Sequence, residues 1–146
     1  MKEMHANTLE IPVYWEQLEP QEGKFGFSQV QSVLNQARQN NMRLIFLWFA
    51  TWKNGSNHYM PEWMKTDSKK YPNVIGKNGQ EVDSPSPHCE EAMKADAKAF
   101  ARFMGYLKEA DTQHTVIMVQ VENEPGTWGS VRAVSYTHLR AHETKA

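Results

Sequence analysis

The chain has 146 residues, 40% hydrophobic and 11% aromatic, which is enough to bury one core and too apolar for a disordered segment. Its formal net charge of -1, with acids and bases interspersed and no basic stripe, argues against a nucleic-acid partner. Cys89 is the only cysteine, so no internal disulfide and no cysteine zinc cage can form, and no apolar run is long enough to span a membrane.

The opening, Met1 to His5, lacks the apolar core of a secretion signal and reads as the end of a helix already under way. Met1 need not be the natural start, and a longer parent could be secreted or periplasmic. Thr8 to Trp15 (TLEIPVYW) is rich in β-branched and aromatic residues and predicts a strand, with Pro12 removing one ladder donor. After a loop through Pro20 to Gly26, Ser28 and Gln31 have capping-box spacing, and Val30, Val33, Leu34 and Ala37 supply the apolar stripe of a helix closed by Asn40 and Asn41.

Arg43 to Ala50 (RLIFLWFA) is an almost unbroken apolar run, which fits a strand covered on both faces in a parallel sheet. A long connection, Thr51 to His88, holds most of the prolines and glycines, and loops of this length usually carry function. Glu90 to Glu109 predicts a second helix with an apolar stripe of Met93, Ala97, Phe100, Met104 and Leu107. Thr115 to Val121 (TVIMVQV) is the third strand, and continued alternation would put Gln120, Glu122 and Glu124 on one face.

Strand, helix, strand, helix, strand implies right-handed βαβ units, hence α/β with a parallel sheet, either doubly wound or part of a (β/α)8 barrel. No glycine-rich turn follows a strand, so dinucleotide binding has no support and no cofactor is called for. The prominent polar and aromatic groups lie just past strand ends: Trp15 and Glu16, then Trp52, then Asn123 and Glu124. That is the ligand edge of a parallel α/β fold. Pro125 should hold Glu124 extended, and the Asn123 amide offers a donor and an acceptor to a sugar hydroxyl. One carboxylic acid that protonates a leaving oxygen is half of what glycoside hydrolysis needs.

The run QVENEPG (Gln120 to Gly126) resembles the strand-four end of clan A glycosidases, and VQVENE looks most like glycoside hydrolase family 35, the β-galactosidases. The run NTLEIPVYWEQLEPQEGKFGF (Asn7 to Phe27) is similar to that family's strand-two segment, and MPEWM (Met60 to Met64) to its loop after strand three. The resemblance implies strands two to four of a TIM barrel over residues 1–132, a carbohydrate substrate and retention of configuration. It further implies Glu124 as acid/base, Asn123 as partner of the 2-hydroxyl, and Tyr14 and Glu16 lining the galactose site. Trp52 is the candidate stacking platform. Pro125 stands where that family usually has Tyr, as in other clan A families acting on β-mannan, β-glucan or xylan, and Lys53 and Asn54 stand where many relatives place a glutamate.

A whole barrel needs on the order of 250 residues. The nucleophile, a strand-seven glutamate in the family, is therefore expected beyond Ala146, and the segment alone is expected to be inactive and poorly soluble. VSYTHLRAHETKA (Val134 to Ala146) breaks the pattern and looks like translated sequencing adapter, so 133–146 is expected to be a non-native, disordered tail. His138 and His142 then have no metal role. A non-catalytic carbohydrate-binding remnant is the alternative to an enzyme. The plainer alternatives at single residues are a solvated acid for Glu124, a core aromatic for Tyr14 and Trp48, an incidental thiol for Cys89 beside His88, and a solvated face for Lys65 to Lys70. The residues leave oligomeric state open.

Overall fold

The computed structural model describes residues 5–54 and 58–125, and the expected tail, 133–146, with His138 and His142, lies outside them. Strand β1 (Thr8–Tyr14) is followed by a single turn, α1 (Trp15–Leu18), and then by α2 (Ser28–Gln39) and β2 (Arg43–Phe49). A short α3 (Glu62–Lys65) and two small strands, β3 (Asn73–Ile75) and β4 (Glu81–Pro85), lead to the long α4 (Glu90–Ala110) and β5 (Val116–Val121). The main sheet runs β1-β2-β5, every pair parallel, while β3 and β4 form a separate antiparallel pair. The three predicted strands and two long helices are all present. Trp15 turns into α1 instead of ending β1, and the long connection has a turn of helix and a hairpin of its own.

Because the sheet advances in one direction through two crossovers, a constant crossover hand puts α2 and α4 on the same face. The packing shows this directly. Leu44, Phe46 and Trp48 are fully buried. Phe103 of α4 meets the Phe46 ring nearly edge-on at 5.6 Å and stacks on Trp48 at 5.5 Å. Val33 and Ala37 of α2 line one groove with Leu9, Ile11 and Leu44. Helices on one face distinguish a barrel segment from a doubly wound sheet, which has them on both.

Three expectations change. Among the described residues the two faces of β2 are covered unequally: Ile45 and Leu47 are half-buried, with only Phe49 buried on their face, while Leu44, Phe46 and Trp48 on the other are sealed, and apolar continuity alone cannot tell one-sided from two-sided burial. The buried stripe of α4 is Ala92, Ala99, Phe103 and Leu107, whereas Met93 (57% exposed) and Met104 (38%) face outward; small alanines let the helix approach the sheet closely. The capping box does not form, because Ser28 is already helical after Phe27 and makes no cap. Gln31 instead accepts from the Tyr106 hydroxyl, tying α2 to α4.

At the N-terminal end of the strands, Arg38 of α2 clamps the α4–β5 corner. Its guanidinium donates to Asp111 at 2.8 Å, to the Ala110 carbonyl at 2.9 Å and to Thr115 Oγ1 at 3.1 Å. Asp111 also accepts from the N–H groups of Thr115 and Val116. Burial pushes its carboxyl up, but these donors together hold it below the usual carboxylate value. Cys89 is the N-cap of α4: Sγ accepts from the Ala92 N–H and donates to the Lys70 carbonyl. That is a packing and capping role.

Candidate active site

Parallel strands bring their C-terminal ends to one edge. Tyr14 sits opposite Phe49, and Trp48 opposite Val121, so the three ends are level across the sheet. On the face without helices, Tyr14 packs on Tyr59 with ring centroids 4.4 Å apart and on Phe49 at 6.0 Å. The Lys53 ammonium lies 5.8 Å over the Phe49 ring. The Lys53 carbonyl accepts from Asn123 Nδ2 at 2.9 Å, and Asn123 Oδ1 accepts from Gln120 Nε2 at 2.9 Å. A continuous row thus runs from an aromatic shelf to the amides at the end of β5.

Asn123 retains one N–H and one lone pair beyond those two bonds, so its amide is both fixed in direction and still able to meet a hydroxyl. Glu124 follows with its N–H 3.2 Å from the Lys53 carbonyl, and its side chain is exposed. Glu16, at the far end of the row, donates its N–H to the Tyr59 carbonyl and pairs with Lys65 at 2.9 Å. The expected solvated face of Lys65 to Lys70 is exposed, although Lys65 has this partner.

Trp52 occupies a different place. It is half-buried, meets the His58 ring edge-on at 5.2 Å, and lines a groove with Ala92, Met93 and Phe100 beside the end of β5. The expected common face of Gln120, Glu122 and Glu124 does not exist. Glu122 has φ 57°, in the left-handed region, so the alternation breaks at that residue. Its carboxyl swings toward α4, accepting from the Trp52 N–H at 2.7 Å and hydrogen-bonding Asp96. Burial, then the hydrogen bond and charge of Asp96, push it up to about 9.

The sequence patterns missed Tyr59, Asp96 and Glu19. Tyr59 lies in the long connection and reaches Tyr14 only through the tertiary fold. Asp96 looked like one of the polar residues between α4's apolar positions, yet it accepts from Trp48 Nε1 at 2.9 Å and from Thr51. Glu19 is a buried structural acid, holding Trp15 Nε1 and the Gly23 N–H, each at 2.7 Å. Among the described residues, no group of three or more His, Cys, Asp or Glu side chains could hold a metal ion.

Comparison with known proteins bears on the fold and the family. The chain is 29% identical over 133 residues to the β-galactosidase GalA of Bacillus licheniformis, which covers 86% of the chain and 18% of that protein. Its fold matches a β-galactosidase from Bacillus circulans sp. alkalophilus with TM-score 0.62 at 18% identity, over 84% of this chain and 17% of that one. It also matches a catalytic mutant of Gan42B, a family 42 β-galactosidase from G. stearothermophilus, with TM-score 0.59 at 22% identity, over 99% of this chain and 20% of that one. The segment therefore has part of a TIM-barrel glycosidase fold and spans about a fifth of the length of these relatives. The family profile for glycoside hydrolase family 42, β-galactosidase, matches residues 1–142. That corrects the narrower resemblance to family 35, drawn from VQVENE, the Asn7 to Phe27 run and MPEWM, from which Pro125 already departed. With the profile covering nearly the whole chain, the chain belongs to glycoside hydrolase family 42.

Proposed function

We propose that residues 1–132 are the N-terminal part of a retaining glycosidase barrel that cleaves terminal β-galactosides, with Glu124 as the general acid/base. The observation that carries this is the placement of Asn123 and Glu124 at the end of β5, level with the aromatic shelf of Tyr14 and Tyr59. In this reading Glu124 protonates the departing glycosidic oxygen and later takes a proton from the attacking water. Asn123 spends its remaining N–H and lone pair on the hydroxyl beside the scissile bond. Tyr14 and Glu16 line the sugar site and Tyr59 extends the Tyr14 shelf, whereas the Trp52 ring lies apart from them in the groove against α4.

The attacking carboxylate of a retaining enzyme stands about 5–5.5 Å from the acid. No residue here is assigned that role: Glu122 is turned to Asp96, and Glu16 is paired with Lys65. The nucleophile belongs to the remainder of the longer protein, as do the walls that would enclose Glu124. Pro125 keeps a second reading in play, a clan A glycosidase acting on β-mannan, β-glucan or xylan. Profiling the full-length protein on aryl β-galactosides against these polysaccharides decides between them. Activity confined to galactosides supports the first reading, and activity confined to a polysaccharide overturns it. Absence of both supports a carbohydrate-binding remnant.

A further inference from the structure

We propose that Glu122 and Asp96 form a one-proton latch that fixes the rim loop and thereby sets the positions of Asn123 and Glu124; this makes Glu122 a positioning residue and rests on the assignment of Glu124 as the acid.

The geometry runs in one chain of contacts. Asp96, on α4, accepts from Trp48 Nε1 at 2.9 Å, from the Thr51 hydroxyl and from the Thr51 N–H at 3.3 Å. Both of its oxygens thus accept hydrogen bonds, and the Glu122 carboxyl lines the same groove. While donating to Asp96 it accepts from the backbone N–H of Trp52 at 2.7 Å. The loop it grips returns the hold: the Trp52 carbonyl accepts from the Asn123 N–H at 3.3 Å, and the Lys53 carbonyl accepts from both the Glu124 N–H and Asn123 Nδ2.

Two further facts favour a positioning role over incidental packing. Glu122 is held at φ 57°, a backbone region that is strained for a residue with a Cβ and persists where the surroundings impose it. This turn also removes the Glu122 side chain from the strand's alternation, so that Gln120 Nε2 meets only the Glu122 backbone carbonyl and the Asn123 side-chain oxygen, each at 2.9 Å. Burial and the Asp96 charge favour the neutral form of Glu122. The other titratable groups around it are engaged elsewhere. Cys89, in the same groove, caps α4, and His58, behind the Trp52 ring, is bonded through Nδ1 to the Thr51 carbonyl.

A raised folded value means that the latch's stabilisation is complete below the ordinary value of 4.5 and is withdrawn as pH climbs through about 9. Glutamine reproduces the protonated acid: its amide donates to Asp96 and its carbonyl accepts from Trp52, without a titrating proton. The test uses the full-length enzyme and compares Glu122→Ala, Glu122→Gln and Glu124→Gln. Two readouts are taken, kcat and KM on an activated aryl β-galactoside and the melting temperature from pH 4.5 to 9. Glu122→Ala should lower kcat about 100-fold with little change in KM, the scale expected when a reacting group is misplaced by about 1 Å. Glu122→Gln should restore kcat and flatten the alkaline fall in melting temperature.

Wild-type kcat in Glu122→Ala, or loss in Glu122→Gln equal to that in Glu122→Ala, overturns the latch. An alkaline stability profile of Glu122→Gln parallel to wild type also overturns it. Should Glu124→Gln keep full turnover of substrates with poor leaving groups, the acid assignment fails on its own, while the stability profile still decides whether the shared proton exists.

Discussion

β2 and β5 are both apolar strands of one sheet, yet they have opposite surroundings. Leu44, Phe46 and Trp48 of β2 are fully buried beneath α2 and α4, between two paired neighbours. On β5, Ile117, Met118 and Val121 are 58%, 51% and 59% exposed, and no strand pairs the outer edge among the described residues. The same chemistry is core in one place and open surface in the other because β5 lies where further chain would be needed to cover it. An uncovered strand edge with apolar side chains is a pairing hazard for the isolated segment. It also identifies the direction in which a barrel would continue.

The sharpest way to break this contrast is at its covered pole. Trp48→Ala should cost about 3–5 kcal/mol, the scale for deleting a fully buried aromatic, and it also strips Asp96 of one donor. A urea midpoint unchanged from wild type would mean that the β2 face is not the core. Next in size is the clamp beneath it. Asp111→Ala should cost about 3 kcal/mol by leaving Arg38 and two backbone N–H groups without their acceptor. Since the Asp111 value is depressed, its contribution is present above the ordinary 3.8 and is lost as pH falls through the lower folded value. Asp111→Asn should therefore remove that acid-side slope in a melting-temperature profile. The smallest effect is expected at the open edge: Met118→Lys in this chain should change stability by less than about 0.5 kcal/mol and raise solubility. A cost as large as that at Trp48 would show β5 to be covered.

Most of the fold was legible because period and length separate elements well: the three strands and both long helices follow from where apolar residues recur. What failed was the choice of face. In RLIFLWFA every position is apolar, so the run carries no information on which side is sealed, and in α4 the methionines outweigh the alanines in hydrophobicity although the alanines allow the close approach. At the rim, strand alternation was extended two residues too far. Nothing in QVENEPG announces the left-handed turn at Glu122, whose carboxyl meets partners at Trp52 and Asp96 that are distant in sequence. Tyr59 was hidden for a similar reason, its contact with Tyr14 being made only when the long connection folds back over the strand ends.

The acid role of Glu124 is the claim on which the functional account turns. In the full-length protein, Glu124→Gln should sharply reduce turnover of β-galactosides with poor leaving groups and spare first-step cleavage of aryl galactosides whose leaving groups need no proton. Equal loss on both kinds of substrate, or no loss on either, would contradict it.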